Sequence, residues 1–259
     1  MVNMQKKFWL ISFIFIVICL FFQVKNKTVA SEDFQYKIYT PKAMDMVSES
    51  IKNDSKDSQI IFIVDFSNSM NDTIGGKSKL AMARDTLAEL LPKIPANIKT
   101  GLRIYGYKSG FTYLQGCQAS KLTVPLSSGN YRSILQSLYT NNAVGWTPIT
   151  YSLKQSINND FVGTVGKKHI ILLTDGGENC DESPCTFVIN LMRERNDVKI
   201  DVIAFDVHDI EANNQLRCTA LVTSGKYLTA GNEADLSRSL FETVGISKDV
   251  RGNIRIQGD

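Results

Sequence analysis

Histidine is nearly missing from this chain: its 259 residues hold two, with two tryptophans and six prolines. Zinc catalysis is therefore poorly supplied with ligands. No Cys-x-x-Cys pair occurs either; of five cysteines, Cys180 and Cys185 come nearest, with four residues between them. Gly75-Gly76-Lys77-Ser78 lacks the four-residue spacer and the earlier glycine of a phosphate-binding loop. An excess of one charge is lacking as well. The 29 basic and 26 acidic residues give +3, but residues 1–30 carry Lys6, Lys7, Lys25 and Lys27 and no acid, leaving 25 basic and 26 acidic residues beyond them. That balance, near −1, argues against a sequence-independent grip on nucleic acid. There is no internal repeat and no low-complexity tract. A hydrophobic share of 43% against 21% charged residues is enough to bury a core, and the length allows one large domain or two small ones.

The one long apolar run lies at the N-terminus. Lys6 and Lys7 precede fifteen uncharged residues, Phe8 to Phe22, broken only by Ser12. A positive start followed by a short apolar stretch is the pattern of an export signal, and it falls short of the roughly 20 residues a spanning helix needs. Thr28-Val29-Ala30 offers a small-residue cleavage site before Ser31, although Lys25 and Lys27 sit close by. Residues 1–30 thus read as a signal peptide or, if uncleaved, as an anchor through residues 8–22, and the expected location is periplasmic or extracellular. Cys19 has no lipobox around it. In an oxidising compartment the remaining Cys117, Cys180, Cys185 and Cys218 read as two disulfides, for which three pairings exist.

Residues 31–58 are polar and charge-mixed, as in a linker. From Gln59 onward short apolar runs alternate with segments of helical period. Ile60-Ile61-Phe62-Ile63-Val64 predicts a strand buried on both faces, as do Ile170 to Leu173 and Val202 to Phe205. Gly101–Tyr107 and Leu122–Leu126 predict an antiparallel pair at a sheet edge. Helices are expected through Leu80–Leu91 up to Pro92, Tyr131–Leu138, Pro148–Ile157, Phe187–Met192, Leu216–Val222 and Leu236–Val244, with a short strand at Tyr227-Leu228. The expected fold is a doubly wound α/β domain over residues 59–245, its sheet mostly parallel with one antiparallel edge strand and helices on both faces, followed by a tail over 246–259.

In open α/β sheets ligands bind beyond the carboxyl ends of the strands. Asp65-Phe66-Ser67-Asn68-Ser69 follows the first strand, Thr174-Asp175-Gly176-Gly177 another, and Gly145-Trp146-Thr147 precedes a helix. Together they offer two carboxylates, Asp65 and Asp175, and three hydroxyls, Ser67, Ser69 and Thr147. Oxygen ligands alone select a hard cation, Mg²⁺, Mn²⁺ or Ca²⁺. Five protein groups leave about one of six octahedral positions open, and a partner's carboxylate would complete the charge. Each segment alone is also an ordinary turn or helix cap.

These motifs, in this order, resemble the metal-ion-dependent adhesion site of von Willebrand factor type A domains, over residues 59–245. The resemblance implies that Ser67, Ser69 and Thr147 approach the metal while Asp65 and Asp175 act directly or through water. It implies a non-enzymatic module that binds an acidic side chain on a protein partner, touching the membrane only through an uncleaved N-terminal segment. Asn68 stands where many members have glycine; asparagine tolerates a positive φ. The segment from Thr174 to Cys185 and the later Leu216-Arg217-Cys218 resemble an exported bacterial subgroup with disulfides beside the site. A bridge from each of Cys180 and Cys185 to Cys117 and Cys218 would pin the loops there, and Cys117–Cys180 with Cys185–Cys218 is the preferred arrangement. The competing function is a metal-dependent hydrolase or phosphotransferase on the same carboxylates, but Ser67 stands where an Asp-x-Asp phosphatase needs its second acid. A structural envelope protein with a vestigial site sits poorly with five ligand types being present. Asp206, His208 and Asp209 border the same edge and read first as a solvated loop. His169 lies on the opposite edge, and Trp146 is either a rim or a core residue.

Overall fold

A computed structural model describes residues 59–246. The export segment, the linker and the tail beyond Ile246 lie outside them. β1, Gln59–Asp65, is buried at every position. It pairs in parallel with β4, Lys99–Tyr105, on one side and β6, Lys168–Thr174, on the other. β7, Val198–Phe205, and β8, Tyr227–Ala230, extend the parallel run, and β5, Ser120–Ser127, lies antiparallel on β4. The order is β5-β4-β1-β6-β7-β8. The chain leaves β1 toward β4 and later returns to β6 on β1's other side. At this reversal the loops after β1 and β6 lead to helices on opposite faces, the place beyond the carboxyl ends of the strands where ligands bind in open α/β sheets. The register brings Asp65 level with Tyr105, and Val64 level with Leu173, so Thr174 stands beside Asp65.

Successive β1 side chains face opposite layers, as a period of two requires. Ile60, Phe62 and Val64 pack with Leu80, Ala83 and Leu87 of α1 (Lys79–Leu90), Ile134 and Leu138 of the helix Tyr131–Thr140, and Leu236 and Leu240 of the helix Glu233–Thr243. Ile61 and Ile63 pack with Ile149 and Leu153 of the helix Ile149–Gln155, Val188 of Pro184–Glu194 and Leu216 of Ile210–Val222. In chain order, with the short helix Tyr113–Cys117 as α2, these are α3 (Tyr131–Thr140), α4 (Ile149–Gln155), α5 (Pro184–Glu194), α6 (Ile210–Val222) and α7 (Glu233–Thr243). Every expected strand and helix is found, most of them longer than the apolar run that marked them. The short α2 and a small hairpin, β2 (Thr73–Ile74) and β3 (Lys77–Ser78), were not expected. Gly75-Gly76 forms its turn with φ of 59° and 85°, the conformation a two-residue hairpin demands.

Candidate metal centre

Asp65 ends β1 with its side chain fully buried. Its Oδ1 accepts the Ser67 amide at 2.6 Å, and its Oδ2 accepts the hydroxyls of Tyr105 and Thr174, both at 2.8 Å. Three donors thus fix the carboxylate from the two neighbouring strands and from its own loop. Ser67 bridges Gly145 as an extension of the sheet, and the Asn68 amide donates to the Gly145 carbonyl at 3.0 Å. A 3₁₀ turn over Asn68–Asn71 then brings Ser69 back beside Ser67, their hydroxyls 3.0 Å apart. Ser69 donates to Asp175 Oδ1 at 2.7 Å. Asn68 is part of this turn and is absent from the positive-φ residues, so its tolerance of that conformation is not used.

Thr147 reaches the same rim through its backbone, two residues after the bridge from Gly145 to Ser67. It is buried, and its amide donates to Asn179 Oδ1 at 2.8 Å. Glu178 braces the start of α4: its two oxygens accept the Thr150 amide at 2.7 Å and the Cys180 amide at 3.0 Å. Gly106 permits the close approach. Its φ is 70°, and a Cβ there would lie 2.6 Å from the Ser67 amide nitrogen and 2.7 Å from the Trp146 carbonyl oxygen.

Burial, with the nearby Asp175 charge adding, lifts Asp65 to about 6 against the opposing hydrogen bonds from Ser67 and Thr174. Burial likewise raises Asp175, although Ser69 and Lys79 oppose it. Lys79 Nζ lies 3.2 Å from Asp175 Oδ2 and 3.1 Å from Asp206 Oδ2. Two buried carboxylates and nearby hydroxyls, with the carboxylates held above their ordinary range, form a donor set that fits a hard divalent cation. Among the described residues no three His, Cys, Asp or Glu side chains group as a metal site, so an ion here would rest on hydroxyls as much as on carboxylates.

The rim around the site is apolar on one side. Trp146 is 39% exposed and meets Tyr113 edge-on, with ring centroids 5.4 Å apart. Its indole covers Gly116, where a Cβ would come within 2.4 Å. Phe111 and Leu114 stand out into solvent beside them. Cys117 at the end of α2 is bonded to Cys180, and Cys185 in α5 to Cys218 in α6, the preferred pairing. Asp206 departs from the solvated-loop expectation. It sits at φ 59°, its amide donates to Ala230 O at 2.7 Å, and it pairs with both Lys79 and His208. Asp209 caps α6 and His208 is exposed. His169 pairs with Asp201 at 2.9 Å, away from the site. Sequence reasoning missed Tyr105, Thr174, Glu178, Asn179 and Lys79. For Lys79 a signal existed in its place directly after the capping Ser78, at the end of a helix where a cation is disfavoured.

No family model matches the chain. It is 28% identical to the uncharacterised protein YwmC of Bacillus subtilis (strain 168) over 183 residues, 69% of this chain and 79% of that protein. It is 28% identical to YwmD of the same organism over 191 residues, 72% and 84% of the two. Among solved structures it is similar to proximal thread matrix protein 1 of the mussel byssus (TM-score 0.55, 18% identity, 72% of this chain and 45% of that one). A second structure of that mussel protein has zinc in its adhesion-site motif. The chain is also similar to a von Willebrand factor type A protein of Catenulispora acidiphila (0.56, 16%, 73% and 42%) and to the pilus adhesin SpaC of Lactobacillus rhamnosus GG (0.59, 14%, 73% and 30%). The described chain spans less than half of each of these three structures. Residues 59–246 have the von Willebrand factor type A fold.

Proposed function

We propose that this protein is an exported, divalent-cation-dependent protein-binding module in which Asp65, Ser67, Ser69, Thr147 and Asp175 hold Mg²⁺ or Mn²⁺ and an acidic side chain of a protein partner completes the coordination. The observation that carries the proposal is the continuous chain from Ser67 through Ser69 to Asp175, at 3.0 and 2.7 Å, which joins the loops after β1 and β6 at the switch point of the sheet. A bound divalent ion supplies a positive centre that a partner's carboxylate can meet. The chain's own residues do the rest. Tyr105 and Thr174 orient Asp65, the Ser67 bridge to Gly145 fixes the serine loop, and Glu178 with Asn179 holds the start of α4 and Thr147 against it.

Adhesion is the activity named for SpaC, and the two disulfides fit an oxidising, extracellular setting. A hydrolase on the same carboxylates would need a general base. Among the described residues, Tyr105 touches Asp65 and Lys79 touches Asp175, and both are held protonated: burial and Asp65 push the Tyr105 hydroxyl well above its ordinary value, and Lys79 is raised by Asp175 and Asp206 against burial, so neither is a ready base.

The test is capture from an envelope extract on the immobilised protein. Proteins retained in Mg²⁺, released by chelator and lost in Asp65→Ala support the module. Metal-dependent turnover of a model phosphate ester that disappears in Asp65→Ala would favour the hydrolase instead.

A further inference from the structure

Lys79 is placed where local rules disfavour it. Ser78 caps α1 by accepting the Ala81 amide at 3.2 Å, so Lys79 is the first helical residue, at the positive end of the helix dipole. Its side chain is only 7% exposed, and burying an ammonium is unfavourable without partners. The partners are Asp175 Oδ2 at 3.2 Å and Asp206 Oδ2 at 3.1 Å, so one ammonium ties the end of β6 to the end of β7. Asp175 is held from both sides: Ser69 donates to Oδ1 and Lys79 to Oδ2.

We propose that Lys79 is a built-in counter-cation of the metal centre, a positioning residue that sets Asp175 before any ion arrives and limits how tightly the ion is held. The inference rests on the metal reading above. A fixed positive charge beside Asp175 keeps the site assembled without a divalent ion. It also repels that ion, because the two cations share one carboxylate in a partly buried place where screening is weak. The ion is then bound loosely until a partner's carboxylate adds negative charge. Metal and partner therefore bind with positive coupling, each raising the other's affinity by the same factor.

The experiment is Mn²⁺ titration calorimetry and thermal melting in chelator, on the native protein and on Lys79→Met, which keeps length and removes charge. The expected result is Mn²⁺ binding tighter by about tenfold or more, together with earlier melting in chelator. A lysine that only braces the fold would give earlier melting with unchanged or weaker Mn²⁺ binding, which overturns the proposal. Should Lys79→Met fail to fold, Asp206→Asn carries the test. Asparagine accepts the φ of 59° at that position. The ammonium is then left to Asp175 alone, so Mn²⁺ should bind several-fold more weakly; unchanged or tighter binding overturns the proposal. Absence of Mn²⁺ binding by the native protein would remove the metal reading and this inference together. Native binding without the Lys79→Met gain removes this inference alone.

Discussion

Two buried aspartates in adjoining parts of one sheet have opposite surroundings. Asp201, in β7, lies toward the other end from the site, its side chain fully buried. It pairs with His169 Nε2 at 2.9 Å and Lys199 Nζ at 3.1 Å, and it accepts the Lys226 amide at 2.7 Å. Burial alone would raise it, but His169, the Lys226 amide and the Lys199 charge outweigh burial and hold it below the ordinary carboxylate range. Asp65 also has three donors, but none is a charged side chain; burial and the charge of Asp175, another carboxylate, hold it up at about 6. The first aspartate is saturated by the protein and serves the fold. The second is left short of positive charge, which is the condition for recruiting an ion.

Removing each group should expose that difference. Asp201→Ala leaves His169, Lys199 and the Lys226 amide without their acceptor and should cost about 3–5 kcal/mol in urea unfolding, equally in metal and in chelator. A loss that metal reverses would break the comparison. The cost should also depend on pH. A lowered folded-state pKa contributes stability that is complete above the ordinary aspartate value of about 4 and fades as pH falls below it, so native and Asp201→Ala curves should converge in acid. The pair Cys117→Ser with Cys180→Ser, on the site side, should cost about 2–4 kcal/mol and also shrink any stabilisation by Mn²⁺. Tyr105→Phe removes one hydroxyl from Asp65 and should cost about 1 kcal/mol while weakening the Mn²⁺-induced rise in melting temperature. Asp65→Asn should cost about 1 kcal/mol in the metal-free fold: the Thr174 hydroxyl can turn to the Gly176 carbonyl, but the buried Tyr105 hydroxyl loses its acceptor to an amide. The substitution should nevertheless abolish the Mn²⁺-induced rise.

What the sequence made legible follows from the range of each signal. β1 announces itself because five consecutive apolar residues admit no solvent-facing side. Asp65-x-Ser67-x-Ser69 is visible because one loop carries it. The hairpin at 73–78 has strands of two residues, too short for any period to show. Lys79 and Asp175 are 96 positions apart; the place of Lys79 at a helix start marks it as unusual, but nothing local names Asp175 as its partner. Asp206 read as a solvated loop because its strand ends there; its partners lie on α1 and on its own loop, out of reach of a local pattern. Glu178 and Asn179 look like ordinary loop residues until the backbone of α4 is set beside them.

Whether Ser67 and Ser69 share one ion is read out by anomalous diffraction from crystals grown with Mn²⁺. One strong peak is expected at the carboxyl ends of β1 and β6, about 2.1 Å from the hydroxyl oxygens of Ser67 and Ser69. A map with manganese only elsewhere on the surface, or with none at that rim, would contradict it.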